Sequence, residues 1–188
     1  MKTSSCKRFT LIEMLVVIAI ISILAGLVFP ALGLARQNAK KSKANSECQS
    51  LKAAIIMYES EFNTWPAKAG SNGRVSDSDF VKMCNFLICP DPNDNQKKNS
   101  KNMVFYEAGM GYEDSKGLLD PWGNKYQVIL DTDFDGKIKN EGDVSEISSS
   151  NQSYLQTRVI VFSYGVDKTK DKSSLKDLAK NKKIVVAM

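Results

Sequence analysis

The sequence predicts an α+β fold: a long N-terminal helix, membrane-spanning in its first half, packs its second half on a small antiparallel β-sheet. Three observations carry that expectation. Residues 14–35 hold no charged side chain. Residues 36–62 then repeat apolar side chains at three- and four-residue steps. The C-terminal half carries short β-branched and aromatic runs punctuated by Gly, Pro, Asn and Asp.

The uncharged run is 22 residues long. At about 1.5 Å per residue a helix of that length reaches roughly 30 Å, the hydrocarbon thickness of a bilayer. A core helix of a soluble protein would be apolar all round with too little to cover it. Glu13 stands at the head of the run. A carboxylate costs on the order of 3 kcal/mol at bilayer mid-depth and less near the interface, so Glu13 either marks the water boundary or has a cationic partner. Pro30 lies inside the helix and removes a backbone donor, which predicts a kink or a locally opened segment, loosened further by Gly26 and Gly33. Lys2, Lys7 and Arg8 precede the run and Arg36, Lys40, Lys41 and Lys43 follow it, so charge asymmetry does not orient the span.

This divides the chain into a leader (residues 1–8), a transmembrane helix (9–35) and a soluble head (36–188). The head has 153 residues, enough for one domain. The rival reading is an ordinary signal peptide cut after Gly33-Leu34-Ala35, which leaves a secreted or membrane-anchored calcium-binding domain beginning at Arg36. Against it, the apolar run exceeds the usual signal core of about 7–15 residues.

In the head, Leu51, Ala54, Ile55, Tyr58 and Phe62 form one apolar stripe, with Lys40, Lys41, Lys43, Glu47, Lys52 and Glu59 mostly elsewhere on the helical wheel. Asn63-Thr64-Trp65-Pro66 ends the helix, because the residue before a proline is pushed out of the helical region. Residues 67–79 read as a loop, and 79–87 as a short helix capped near Asp77 or Ser78. Residues 89–101 read as an exposed loop, and 103–108 as a short strand. Asp120-Pro121-Trp122-Gly123-Asn124 marks a tight turn with Trp122 capping the core. Strands are expected over 126–130, 158–164 and 183–187, in a sheet of three or four.

One loop carries candidate metal ligands. Asp131-Thr132-Asp133-Phe134-Asp135-Gly136-Lys137-Ile138 places carboxylates on alternate residues and then a Gly for a sharp turn, the pattern an oxygen cage for Ca²⁺ uses. Asp131, Asp133 and Asp135 would offer side-chain oxygens and Lys137 its backbone carbonyl. The position that holds the closing Glu of an EF-hand is Gly142, so Glu141 or Asp143 would close the shell. The alternative is an acidic turn without metal.

Composition narrows the function. The chain has no His, which removes Ser/His/Asp and Cys/His triads and the commonest zinc ligand and argues against an enzyme. A membrane-anchored enzyme would need the Asp131, Asp133 and Asp135 cluster as a metal site, and the turn leaves little room for substrate. The formal charge of +5 is scattered and not interleaved with aromatics, so no nucleic-acid partner is expected. Of four cysteines, Cys84 and Cys89 are spaced either for a small disulfide or as two buried thiols, and Cys48 is left over.

Lys7-Arg8-Phe9-Thr10-Leu11-Ile12-Glu13 resembles the processing and methylation motif of type IV pilins and of the pseudopilins of type II secretion systems. The likeness continues through the apolar helix with Pro30. Leu118-Leu119-Asp120-Pro121-Trp122-Gly123-Asn124-Lys125-Tyr126 resembles a turn of the major pseudopilins, and Phe162-Ser163-Tyr164-Gly165-Val166-Asp167 resembles the family's final strand and turn. Arg8 occupies the position that the family usually fills with Gly. The resemblance implies a pilin-like fold, cleavage between Arg8 and Phe9 by a prepilin peptidase and methylation of the new amine. It implies that Glu13 pairs with the Phe9 amine of a neighbouring subunit, and that an inner-membrane assembly platform helps the chain self-associate into a helical filament. It also implies a single-pass inner-membrane protein with its head in the periplasm or in a filament, and a calcium-stabilised head.

Overall fold

The computed structural model describes residues 10–88, 99–107, 111–139, 153–165 and 185–187. The element order is α1 (Leu11–Phe62), α2 (Asp77–Ile88), β1 (Tyr112–Glu113), β2 (Gly117–Leu118), β3 (Gln127–Leu130), β4 (Ile138–Lys139), β5 (Tyr154–Leu155), β6 (Val159–Ser163) and β7 (Val185–Ala187). Two compact units divide between Ala39 and Lys40.

In the first unit α1 is helical without interruption, Pro30 included, so the expected opening of the helix there is not found. The described side chains of this stretch are exposed apart from the half-buried Ala25, with Leu15, Ile18, Ile21, Leu24 and Phe29 among the exposed ones. α1 is long and apolar enough at its N-terminal end to cross a membrane.

The second unit begins on the other half of α1. Ala44, Cys48, Leu51, Ala54, Ile55 and Tyr58 are buried along one stripe, as the periodicity predicts, and Phe62 is half-buried beside them. Burying a Leu or Ile side chain contributes about 1.5–3 kcal/mol, so this stripe is what holds the helix to the head. Glu59 departs from its expected exposed position: it is buried, and Arg158 pairs with it at 2.6 Å. The helix stops at Phe62, where Asn63 takes a left-handed backbone (φ 51°) and donates its N–H to the Glu59 carbonyl at 2.7 Å.

The main sheet is antiparallel in the order β3-β6-β7, with Val128 opposite Val161 and Phe162 opposite Val186. Strand periodicity splits its side chains between two faces. Val128, Leu130, Val159 and Val161 join the core shared with α1 and α2. Ile129, Ile160 and Phe162 form a second cluster with Ile138, Leu155 and Tyr164, so the β4–β5 ribbon helps to cover the far face. A second ribbon, β1–β2, was not legible as strands in the sequence.

Two local expectations are corrected. α2 begins at Asp77 and its cap is Ser76, whose Oγ accepts the Asp79 N–H at 3.2 Å and donates to the Asp79 carboxylate at 2.7 Å. Residues 103–107 are not a strand: the Asn99 amide donates to the Met103 carbonyl at 2.7 Å and accepts the Met103 N–H at 3.1 Å, doing the pairing that a second strand would supply. Residues 89–98, Cys89 among them, and Ala108 lie outside the described residues, and Cys84 is a buried free thiol.

Candidate functional sites

Glu13 sits in the first turn of α1 and has partners in its own chain. The Thr10 N–H and Thr10 hydroxyl both donate to Glu13 Oε2, at 2.8 and 2.7 Å. The Glu13 N–H points back at Thr10 Oγ1, 3.4 Å away. This is a capping box: two otherwise orphaned groups at a helix start are satisfied reciprocally. The spacing Thr10-x-x-Glu13 signals it in the sequence, where only an intermolecular or boundary role was expected. Arg8 and Phe9 lie outside the described residues; Pro30 lies within α1.

The acidic loop is brought together as the spacing predicts. Carboxylate oxygens of Asp131, Asp133 and Asp135 all lie within 4.8 Å of one another. Asp131 leaves the end of β3 and is buried, while Asp133 and Asp135 are exposed. Its Oδ2 accepts the Gly136 N–H at 2.8 Å, and its buried Oδ1 has no hydrogen-bond partner. Burial, and then the neighbouring Asp133 carboxyl, push the Asp131 carboxyl above the ordinary carboxylate range. Asp135 Oδ1 accepts the Lys137 N–H at 2.8 Å, Gly136 has φ 82°, and Ile138 is buried in the core. A buried oxygen with no donor beside two more carboxylates suits a hard divalent cation, which oxygen ligands bind. Glu141 and Asp143 lie outside the described residues.

The Asp-Pro-Trp-Gly-Asn turn is built around a buried carboxylate. Asp120 Oδ1 accepts the N–H groups of Trp122 and Asn124 at 3.0 and 2.7 Å. Its Oδ2 accepts the Ser163 hydroxyl at 2.5 Å, and the Asn124 amide donates to the Gly165 carbonyl at 2.8 Å. Residues 120–124 are thereby tied to the end of β6, which joins the turn to the Phe162-Ser163-Tyr164-Gly165 segment.

Residues 9–29 match the family model described as the prokaryotic N-terminal methylation motif. Over 132 residues the chain is 35% identical to the type II secretion system core protein G of Aeromonas hydrophila, covering 69% of this chain and 76% of that one. The chain belongs to the type II secretion system core protein G family. The protein of that name in Pectobacterium carotovorum subsp. carotovorum is 42% identical over 124 residues, 65% of this chain and 66% of its own. A fimbrial protein of Neisseria meningitidis is 37% identical over 74 residues, 39% of this chain and 44% of its own. No solved structure matches. As a member of the core protein G family the chain is a pseudopilin, a structural protein and not an enzyme. The resemblance carried by residues 7–13 is therefore a family relationship, and the signal-peptide reading is not favoured.

Proposed function

We propose that this chain is the subunit of a type II secretion pseudopilus and not of an adhesive pilus, and that its assembly is registered by Glu13. Likeness to core protein G relatives over some two thirds of the chain supports the pseudopilus, since the fimbrial likeness covers 39%. In this reading a prepilin peptidase cuts between Arg8 and Phe9 and the new Phe9 amine is methylated. The product stays in the inner membrane as a single-pass protein with its head on the periplasmic side. An assembly platform in that membrane then feeds it into the filament through packing of the apolar half of α1, with Pro30 supplying helix plasticity.

The observation that carries this is the capping box at the head of an exposed apolar helix. In the single subunit, Thr10 satisfies the Glu13 carboxylate with two neutral donors. A charged amine from a neighbouring subunit is a stronger partner, because charge-assisted hydrogen bonds are roughly twice as strong as neutral ones. In hydrocarbon that preference grows as the dielectric falls. Glu13→Ala is expected to leave a membrane-inserted protein that does not enter filaments; wild-type assembly by the variant refutes the registry role. Mass spectrometry of the purified protein is expected to find a methylated N-terminal Phe9, and a mature protein that begins at Arg36 overturns the pathway.

The head, in the same proposal, holds Ca²⁺ in the acidic loop. Asp131, Asp133 and Asp135 supply carboxylate oxygens, with the Lys137 carbonyl and Asp143 or Glu141 as the remaining ligands. The ion would offset two of the three negative charges and give the buried Asp131 Oδ1 its missing partner.

A further inference from the structure

We propose that Trp65 is the positioning residue of the acidic loop: it holds the backbone of Asp131 and the ring of Phe134, and so sets the spacing of the carboxylates and the affinity for Ca²⁺. This rests on the calcium reading of the loop and adds a residue 66 positions away from Asp131 in sequence.

Phe134 lies between Asp133 and Asp135 with φ 58°. An aromatic residue rarely adopts that left-handed backbone, and doing so carries strain. Phe134 is 48% exposed, so burial in the core does not hold it there. Its ring stacks on Trp65, with centroids 5.5 Å apart and planes 12° from parallel. The Trp65 Nε1–H donates to the carbonyl of Asp131 at 2.5 Å. The first and fourth residues of the loop thus rest on one side chain.

Trp65 is itself fixed. It is buried, and it follows the left-handed Asn63 that ends α1. The Arg158 guanidinium lies 5.4 Å from its ring centroid, close enough for a cation–π contact. Arg158 in turn pairs with Glu59 in the last turn of α1, and its carbonyl accepts the Asp131 N–H at 2.9 Å. A backbone rotation at Phe134 moves the flanking carboxylates of Asp133 and Asp135 together. The stack that restrains this rotation therefore restrains the ligand geometry, in the manner of outer-shell groups that orient metal ligands.

The test uses the full chain in detergent micelles. Trp65 and Trp122 are its two tryptophans, so a Trp122→Phe background leaves Trp65 as the sole tryptophan, excited selectively at the red edge of the absorption band. Ca²⁺ titration is followed by Trp65 emission and by calorimetry. The expected result is a saturable emission change with the same midpoint as the binding heat, absent in Asp133→Ala. Phe134→Asn suits the left-handed backbone better but removes the ring, and Trp65→Phe keeps a ring but removes the N–H. Both are expected to weaken Ca²⁺ binding by about tenfold or more. Wild-type affinity in both variants overturns the proposal, even if Trp65→Phe melts earlier in chelator, because that is the signature of a merely structural residue. If Trp65→Phe does not fold, Phe134→Asn decides by itself. Absence of any Ca²⁺ heat in the unsubstituted chain overturns the calcium reading and this inference together.

Discussion

Removing the Asp120 carboxylate is expected to be among the costlier single changes in the head. Asp120 is 5% exposed and Ser163 is fully buried. Asp120→Ala takes the acceptor from the Ser163 hydroxyl and from the N–H groups of Trp122 and Asn124. The two N–H groups belong to half-buried residues that water can reach, so each loses only a net hydrogen bond, about 1 kcal/mol. Ser163 keeps its hydroxyl as acceptor for the Gly165 N–H but has no replacement acceptor of its own, at about 1–3 kcal/mol. The total is about 3–5 kcal/mol. For a chain of this size each kcal/mol shifts the melting temperature by roughly 2–4 °C, so the shift is on the order of 10 °C. Asp120→Asn keeps one carbonyl oxygen for the turn N–H groups and is expected to lose about half as much. The assay is thermal unfolding of the full chain in mild detergent, followed by near-ultraviolet circular dichroism. An Asp120→Ala variant melting within about 2 °C of wild type, or an Asn variant as damaged as the Ala one, refutes this account of the turn.

Two glycines with the same backbone sign should respond differently to Ala. At Gly123 (φ 84°) an added Cβ meets nothing within 4 Å, so only the backbone strain counts, about 1 kcal/mol. At Gly73 (φ 75°) the Cβ would lie 2.5 Å from the Leu130 carbonyl oxygen, so Gly73→Ala must open the Gly73–Leu130 backbone pairing and is expected to cost at least about 3 kcal/mol by chemical denaturation. Burial pushes the thiols of Cys48 and Cys84 up to about 12, which leaves only a trace of thiolate even at about pH 9, so brief alkylation at that pH should not label them in the folded chain. In denaturant, near their ordinary value of about 8.5, it should, and peptide-resolved mass spectrometry reads both. Sites of this extracellular kind bind Ca²⁺ at roughly 10⁻⁴–10⁻³ M, so several millimolar Ca²⁺ should stabilise the head by about 1–2 kcal/mol, Mg²⁺ by less, and Asp133→Ala should abolish the effect. Identical melting curves in chelator and in Ca²⁺ would make the loop a plain turn.

Sequence alone determined the features whose physics is local. The apolar run and the stripe of Leu51, Ala54, Ile55 and Tyr58 are legible because a helix writes its buried face at a fixed period. Strands β3 and β6 are legible because they are short β-branched and apolar runs bounded by turn residues. Asp131, Asp133 and Asp135 come together because five successive residues that turn sharply cannot separate their side chains far. Tertiary structure decided the partners. Glu59 looks like a surface residue on the wheel and becomes buried because Arg158, 99 positions later, arrives to neutralise it. Ser163 reads as a strand residue and turns out to secure Asp120, 43 positions earlier. Trp65 reads as a helix terminator and becomes the platform for Phe134 and the Asp131 carbonyl. The residues expected to form a strand at 103–107 fold around the Asn99 amide, a choice between side-chain and backbone pairing that propensity cannot rank. Periodicity records which side of an element is covered, but the group that covers it depends on which elements meet, and that is settled only when the chain is folded.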